Sequence, residues 1–165
     1  MKFSRIIING FIIFIGIALF FLLMEVANLS DQVYLRLFNF VFVIYGINRT
    51  IKLNYEDHID GYFTNLLSGI LTGIVSLALG LISFVAYVEY QSNSNDVDYL
   101  QHFAGSYLLG GGEPSIYQFC AGLMVEGIAS SVIVSFALMQ FWKSKVEKIN
   151  NVDDRNHVTT DSKHN

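Results

Sequence analysis

The sequence predicts an all-α membrane protein, a four-helix transmembrane bundle with a short interfacial helix in its outer loop. Hydrophobic residues make up 53% of the 165 residues and charged residues only 15%, whereas soluble domains average about 25% charged. The apolar residues form four runs near the length, about 20 residues, that a helix needs to cross a bilayer. Period-two alternation, which membrane strands require, is absent.

The predicted spans are separated by short polar segments. They cover about 6–26, 33–51, 62–88 and 115–142. The first run is longer than the ~7–15 apolar residues of a secretion signal, so we interpret it as a retained span. Arg36 and Asn39 interrupt the second run. The four spans form one membrane domain, 1–149, and the polar segment 150–165 is expected to be a disordered cytoplasmic tail.

The positions of the positive charges predict the orientation of the spans. Nine of the ten basic residues fall on one side of a four-span arrangement, and the exception is Arg36 within span two. Lys and Arg gather in the cytoplasmic loops of membrane proteins. Both termini are therefore expected in the cytoplasm. Trp142, beside Lys143, resembles an interfacial anchor at the inner surface.

The outer loop between spans three and four predicts the short interfacial helix. Apolar residues recur there at helical spacing, and Asp96 is placed to cap the helix start. These residues are Val97, Leu100, Phe103, Ala104, Tyr107 and Leu108. We interpret the segment as a helix on the outer membrane surface. An irregular loop packed on the spans is the alternative.

Small residues on spans three and four predict close helix packing. Helices in lipid associate through small residues and hydrogen bonds, because lipid removes most of the hydrophobic drive between them. The predicted packing residues are Gly69, Gly73, Gly80, Gly127 and Ser131. We expect them to pack the helices of one bundle, and self-association into a dimer is the alternative.

Three charged residues within the spans form a candidate site. A charge deep in hydrocarbon costs about 2.5–3.5 kcal/mol even on the mildest insertion scale. Glu25, Arg36 and Glu126 are each predicted in the outer third of the membrane, with Arg36 between the two acids. A structural ion pair that fixes helix registry is the preferred interpretation. An ion or proton site with Glu126 as carrier is the alternative.

Other motifs give no support for a catalytic or cofactor site. The Glu56 to Asp60 stretch lacks a second cluster at metal-ligand spacing, and Asp60 is expected to cap span three. Gly110 to Gly112 is not followed by the Gly-Lys-Ser/Thr of a phosphate loop. Hydrolase motifs are absent. No cofactor and no metal are therefore expected, and the net charge of −4 provides no basic field for nucleic acid.

Two segments and the overall plan carry a family resemblance. The segments run from Asn48-Arg49 to Asp60-Gly61 before span three, and through span four to Phe141-Trp142-Lys143. They resemble the small uncharacterised four-span membrane proteins, a domain of unknown function, common in Bacteroidota. The resemblance implies a location in the bacterial inner (plasma) membrane and brings no catalytic residue.

Three function classes remain after this sequence reading. A non-enzymatic bundle with a structural or regulatory role is preferred. A small transporter or ion/proton-conducting protein that uses an intramembrane Glu is second, and an intramembrane enzyme is third. The expected partners are the lipid bilayer and, left open, a second copy of the chain or another membrane protein.

Overall fold

The protein folds into long helices joined by short turns. The computed structural model describes residues 2–27, 29, 33–59, 61–92 and 116–161, and across these ranges it contains no strand. The helices are α1 (Phe3–Val26), a 3-10 helix (Val33–Phe38), α2 (Asn39–Glu56), α3 (Tyr62–Ser92) and α4 (Ile116–Asp161). The all-α class predicted from the sequence is confirmed.

Three of the helices are long and apolar enough to cross a membrane. The segments are Phe3–Val26 with 24 residues, Tyr62–Tyr87 with 26 and Cys120–Lys145 with 26. They match predicted spans one, three and four. The second predicted span is not among them, because the 18 residues of α2 include six strongly polar ones, namely Asn39, Asn48, Arg49, Lys52, Asn54 and Glu56.

Side-chain contacts bring the start of α1, the end of α2, the start of α3 and the middle of α4 to one end of the bundle. Lys2 pairs with Asp57 at 2.7 Å. Gln140 donates a hydrogen bond to the Tyr62 hydroxyl at 3.2 Å. We call this the basic end, because it carries the lysines and arginines at positions 2, 5, 49, 52, 143 and 145.

The distribution of polarity is inverted relative to a soluble protein. Among the described residues, nine buried side chains are polar and eight are apolar. Large apolar side chains such as Leu19, Ile82, Val125 and Ile133 are more than 60% exposed. A soluble protein buries its apolar groups. Here lipid is the solvent that suits the surface, and hydrogen bonds between helices replace part of an apolar core.

The turn after α2 is built by two hydrogen bonds and two residues with positive φ. His58 N–H donates to Tyr55 O at 3.1 Å, and Ile59 N–H donates to Asn54 O at 2.9 Å. His58 has φ 53° and Gly61 has φ 98°. This is a Schellman ending, in which the last helix carbonyls are satisfied by the chain that leaves. It reverses the chain into α3 within a few residues.

Two other predictions meet the structure differently. The interfacial helix predicted near 96–108 and the Asp60 cap lie outside the described residues. The last helix continues to Asp161, so it runs through most of the 150–165 segment for which the sequence predicts disorder. In a continuing helix, each amide N–H donates to the carbonyl four residues earlier. A polar composition by itself does not prevent these backbone hydrogen bonds.

Candidate functional site

The centre of the bundle contains a hydrogen-bonded chain of polar side chains from three helices. Asn9 Nδ2 on α1 donates to Thr50 Oγ1 on α2 at 2.9 Å. Thr50 Oγ1 lies 3.1 Å from Thr72 Oγ1 on α3. All three residues are at most 1% exposed. We call this group the central network, and it fixes the relative heights of α1, α2 and α3.

Hydrogen positions in the central network follow from its acceptors. Thr72 donates its single hydroxyl hydrogen to Ser68 O at 2.8 Å. The hydrogen between the two threonines therefore comes from Thr50, which otherwise points to Gly46 O at 3.1 Å. Each hydroxyl thus has a hydrogen-bond partner whether the Thr50 hydrogen points to Thr72 Oγ1 or to Gly46 O. A satisfied buried network adds rigidity, whereas an unsatisfied one costs free energy.

Close approach of small residues holds α3 against α4. A Cβ built at Gly73 lies 2.6 Å from Ser131 Cβ, and one at Gly69 lies 2.9 Å from Ser135 Oγ. A Cβ at Gly127 meets the Leu77 side chain. Ser131 itself donates to Gly127 O at 2.7 Å. These four of the five predicted packing residues therefore lie at the contact between α3 and its neighbours.

The fifth predicted packing residue has a different environment. No heavy atom of the described chain lies within 4 Å of a Cβ built at Gly80. The helices α1 and α2 also meet α3 and each other through glycines. Cβ atoms at Gly10 and Gly46 would meet Val75 and Ile13. Sequence reasoning missed these two, because neither belongs to a spaced stripe of small residues.

Trp142 ties α4 to α2 near the basic end. Its Nε1 donates to Asn48 Oδ1 at 2.9 Å, and its ring centroid lies 5.4 Å from that of Tyr55. The Trp142 side chain is buried, and Lys145 Nζ lies 4.5 Å from its ring centroid. The sequence predicts an interfacial anchor at this position, and the structure gives it an interhelical contact as well.

An ionic cluster closes the basic end. Asp57 accepts hydrogen bonds from Lys2 Nζ at 2.7 Å and from Arg5 Nη2. These bonds lower the pKa of Asp57 from its ordinary 3.8 to about 2, and the bond from Lys2 has the larger effect. Arg5 Nη1 also donates to Asn54 Oδ1 at 2.8 Å. The start of α1 is therefore clamped to the end of α2 through charge-assisted hydrogen bonds.

Asn65 supports the turn from the α3 side. Its Nδ2 donates to Ile59 O and to Gly61 O, each at 3.0 Å. Both carbonyls belong to the turn, which offers them few helical donors. Asn54 and Asn65 are each 1% exposed. The two asparagines therefore hold the turn from its two flanking helices.

The structure describes the side chains of two of the three residues in the predicted charge cluster. Glu25 Oε1 accepts a hydrogen bond from the Tyr87 hydroxyl at 3.1 Å, which joins α1 to α3 at the end opposite the basic end. Glu126 lies on α4 with an exposed side chain. The Arg36 side chain lies outside the described residues. The structure thus adds Tyr87 as a partner of Glu25.

Spacing in the sequence contains a signal for the central network and the turn. Arg5 and Asn9 are four apart, as are Thr50 and Asn54, and Ser68, Thr72 and Ser76 follow at the same interval. Residues four apart share one helix face. Polar faces on otherwise apolar helices indicate the bundle interior.

The described residues contain no group of three or more His, Cys, Asp or Glu placed to hold a metal ion.

Comparison with known proteins gives no relative. No family model matches the chain, and no curated protein and no solved structure matches it significantly.

Proposed function

We propose that this chain is a four-span integral protein of the bacterial inner (plasma) membrane, with both termini in the cytoplasm, that acts as a non-enzymatic structural or regulatory bundle. The observation that carries the role is the central network, because three helices share one buried and fully paired set of hydrogen bonds. Such an interior favours one fixed helix arrangement over a changing one. Membership of the Bacteroidota four-span family remains part of this proposal.

The contact between Asp57 and the start of α1 supports a membrane crossing by predicted span two, in addition to the three long apolar helices. Residues 33–59 return from the far end of α1 to its beginning, where Lys2 and Arg5 bind Asp57. α1 is about 36 Å long at ~1.5 Å per residue. The 3-10 helix and α2 together cover about 39 Å, at ~2.0 and ~1.5 Å per residue. If α1 crosses the membrane, this segment has the reach and the endpoint of a second crossing.

Cysteine labelling tests the topology. Cys120 is the only cysteine, so a Cys120→Ala background accepts single cysteines at Ser4, Glu56 and Asn95. We expect an impermeant maleimide to label Asn95→Cys from the periplasm and to label the other two only after lysis. Labelling of Ser4→Cys and Glu56→Cys from opposite sides would remove the fourth span.

A small transporter or ion/proton-conducting protein is the second candidate. The half-buried Glu25 carboxylate and its Tyr87 partner favour it, because ionisable groups within spans often mark ion or proton paths. Proton flux into liposomes distinguishes the two candidates. We expect the native protein, Glu25→Gln and Glu126→Gln to match protein-free liposomes. Flux in the native protein that either substitution abolishes would establish the transporter instead.

A further inference from the structure

We propose that the turn between α2 and α3 encloses a binding site for a single water molecule, held between Asn54 Nδ2 and Asn65 Oδ1. The inference goes beyond the proposed function and does not depend on which side of the membrane the basic end faces. It starts from two buried polar atoms, Asn54 Nδ2 and Asn65 Oδ1, to which the described part of the chain offers no hydrogen-bond partner.

The orientation of each side-chain amide is fixed by its other contacts. Asn54 must present its oxygen to Arg5, since a guanidinium only donates. Asn65 must present its nitrogen to Ile59 O and Gly61 O, since carbonyls only accept. Rotation of either amide by 180° would place like groups together. A donor on Asn54 and an acceptor on Asn65 are therefore left over.

The two asparagines flank one turn and both contact Ile59. The Ile59 N–H donates to the main-chain carbonyl of Asn54 at 2.9 Å, and the Ile59 carbonyl accepts from Asn65 Nδ2 at 3.0 Å. Asn54 thus contacts one peptide group of Ile59 through its main chain, and Asn65 contacts the other through its side chain. Both are also 1% exposed, so bulk solvent does not satisfy them.

The chemistry of the two atoms selects the ligand. A cation is repelled by the Asn54 amide hydrogens, and an anion is repelled by the Asn65 oxygen. A neutral molecule that accepts on one side and donates on the other satisfies both, and water is the smallest such molecule. Buried waters typically make about three hydrogen bonds to polar groups that would otherwise lack a partner. Each such group left unpaired costs about 1–3 kcal/mol.

The central network supplies an internal control one helical turn deeper. Asn9 is four residues after Arg5, and Thr50 is four residues before Asn54. Asn9 is as buried as Asn54, at 1%, but its Nδ2 donates to Thr50. The proposal therefore places water beside Asn54 and not beside Asn9.

Solid-state NMR of the full chain in lipid bilayers tests this difference. With 15N-asparagine labelling, we expect magnetisation transfer from water protons to Asn54 Nδ2 and at least a threefold weaker transfer to Asn9 Nδ2. Absence of transfer at Asn54, or equal transfer at both side chains, would overturn the proposal. This comparison uses the native protein and does not depend on the folding of any variant.

Substitution at the other side of the site gives a second readout. Asn65→Leu removes the acceptor, so we expect the transfer from water to Asn54 Nδ2 to be lost. Ser76→Ala, at another buried polar residue of α3, is the matched control and should leave the transfer unchanged. Persistence of the Asn54 signal in a folded Asn65→Leu protein would show that the water is not held by this pair, and the proposal would fail.

Discussion

Replacing Gly73 by alanine tests whether α3 and α4 are held by direct contact of their backbones. The added Cβ would lie 2.6 Å from Ser131 Cβ, whereas nonbonded carbons prefer about 3.5–4.0 Å. The shortfall is about 1 Å, and Ser131 Cβ cannot rotate away because it is attached to the α4 backbone. The helices must move apart by about that distance.

The expected cost follows from two opposing effects. Overpacking of a tight contact costs about 1–3 kcal/mol, and a Cβ attached to a backbone on each side favours the upper part of that range. Alanine gains up to about 1 kcal/mol over glycine in a helix interior. We therefore expect Gly73→Ala to lower the free energy of unfolding by about 2 kcal/mol. Gly80→Ala, where space is open, should be neutral or slightly stabilising.

Equilibrium unfolding in mixed micelles, followed by circular dichroism during titration with SDS, measures these changes. The double variant Gly73→Ala/Ser131→Gly restores space and should recover at least half of the loss. If Gly73→Ala unfolds at the same SDS fraction as Gly80→Ala, the glycine does not hold the contact and the reasoning is refuted. Failure of the double variant to recover would point to a backbone effect at position 73 itself.

Three further predictions concern the polar groups. Thr50→Val should lower the free energy of unfolding by about 1–2 kcal/mol, measured by the same SDS titration, because it removes the shared hydroxyl of the central network; Thr50→Ser should retain most of it. In the native protein, the Asp57 ion pairs should give a stabilisation that is complete above pH 3.8 and is lost as the pH falls towards 2. Asp57→Asn removes this stabilisation, so the unfolding of the variant should depend less on pH between these values. Equal pH dependence in both proteins would contradict the ion pairs. His58→Gly should stabilise the protein by about 1 kcal/mol in thermal or SDS unfolding, because glycine adopts the left-handed conformation without the Cβ clash; destabilisation would indicate that the His58 side chain has a role of its own.

The sequence was sufficient to predict the positions of the helices that are long and continuously apolar. The segments around 6–26 and 62–88 agree with α1 and α3 within a few residues, because length and apolarity together determine a membrane helix. Span two shows where this reasoning ends. Its first part is a 3-10 helix and its last part carries polar residues that face the bundle, so composition alone does not separate a polar-faced span from a soluble helix.

The candidate site was predicted only in part, for a physical reason. The stripes of small residues in spans three and four predict close helix packing, and in the structure Gly73 lies against Ser131. The central network escaped because Asn9, Thr50 and Thr72 lie far apart in sequence and each is unremarkable by itself. Only the relative heights of three helices, which no single segment specifies, bring them together.

The ion pairs between Asp57 and the start of α1 have a consequence for biosynthesis. Asp57 directly follows α2 in the chain, so both partners of the ion pairs that join α1 to α2 are present before α3 is translated. In the proposed four-span topology, this hairpin of α1 and α2 can assemble in the bilayer as a unit before α3 is inserted. Thr72 then completes the central network when α3 inserts, so the order of synthesis matches the order in which the bundle gains its internal bonds.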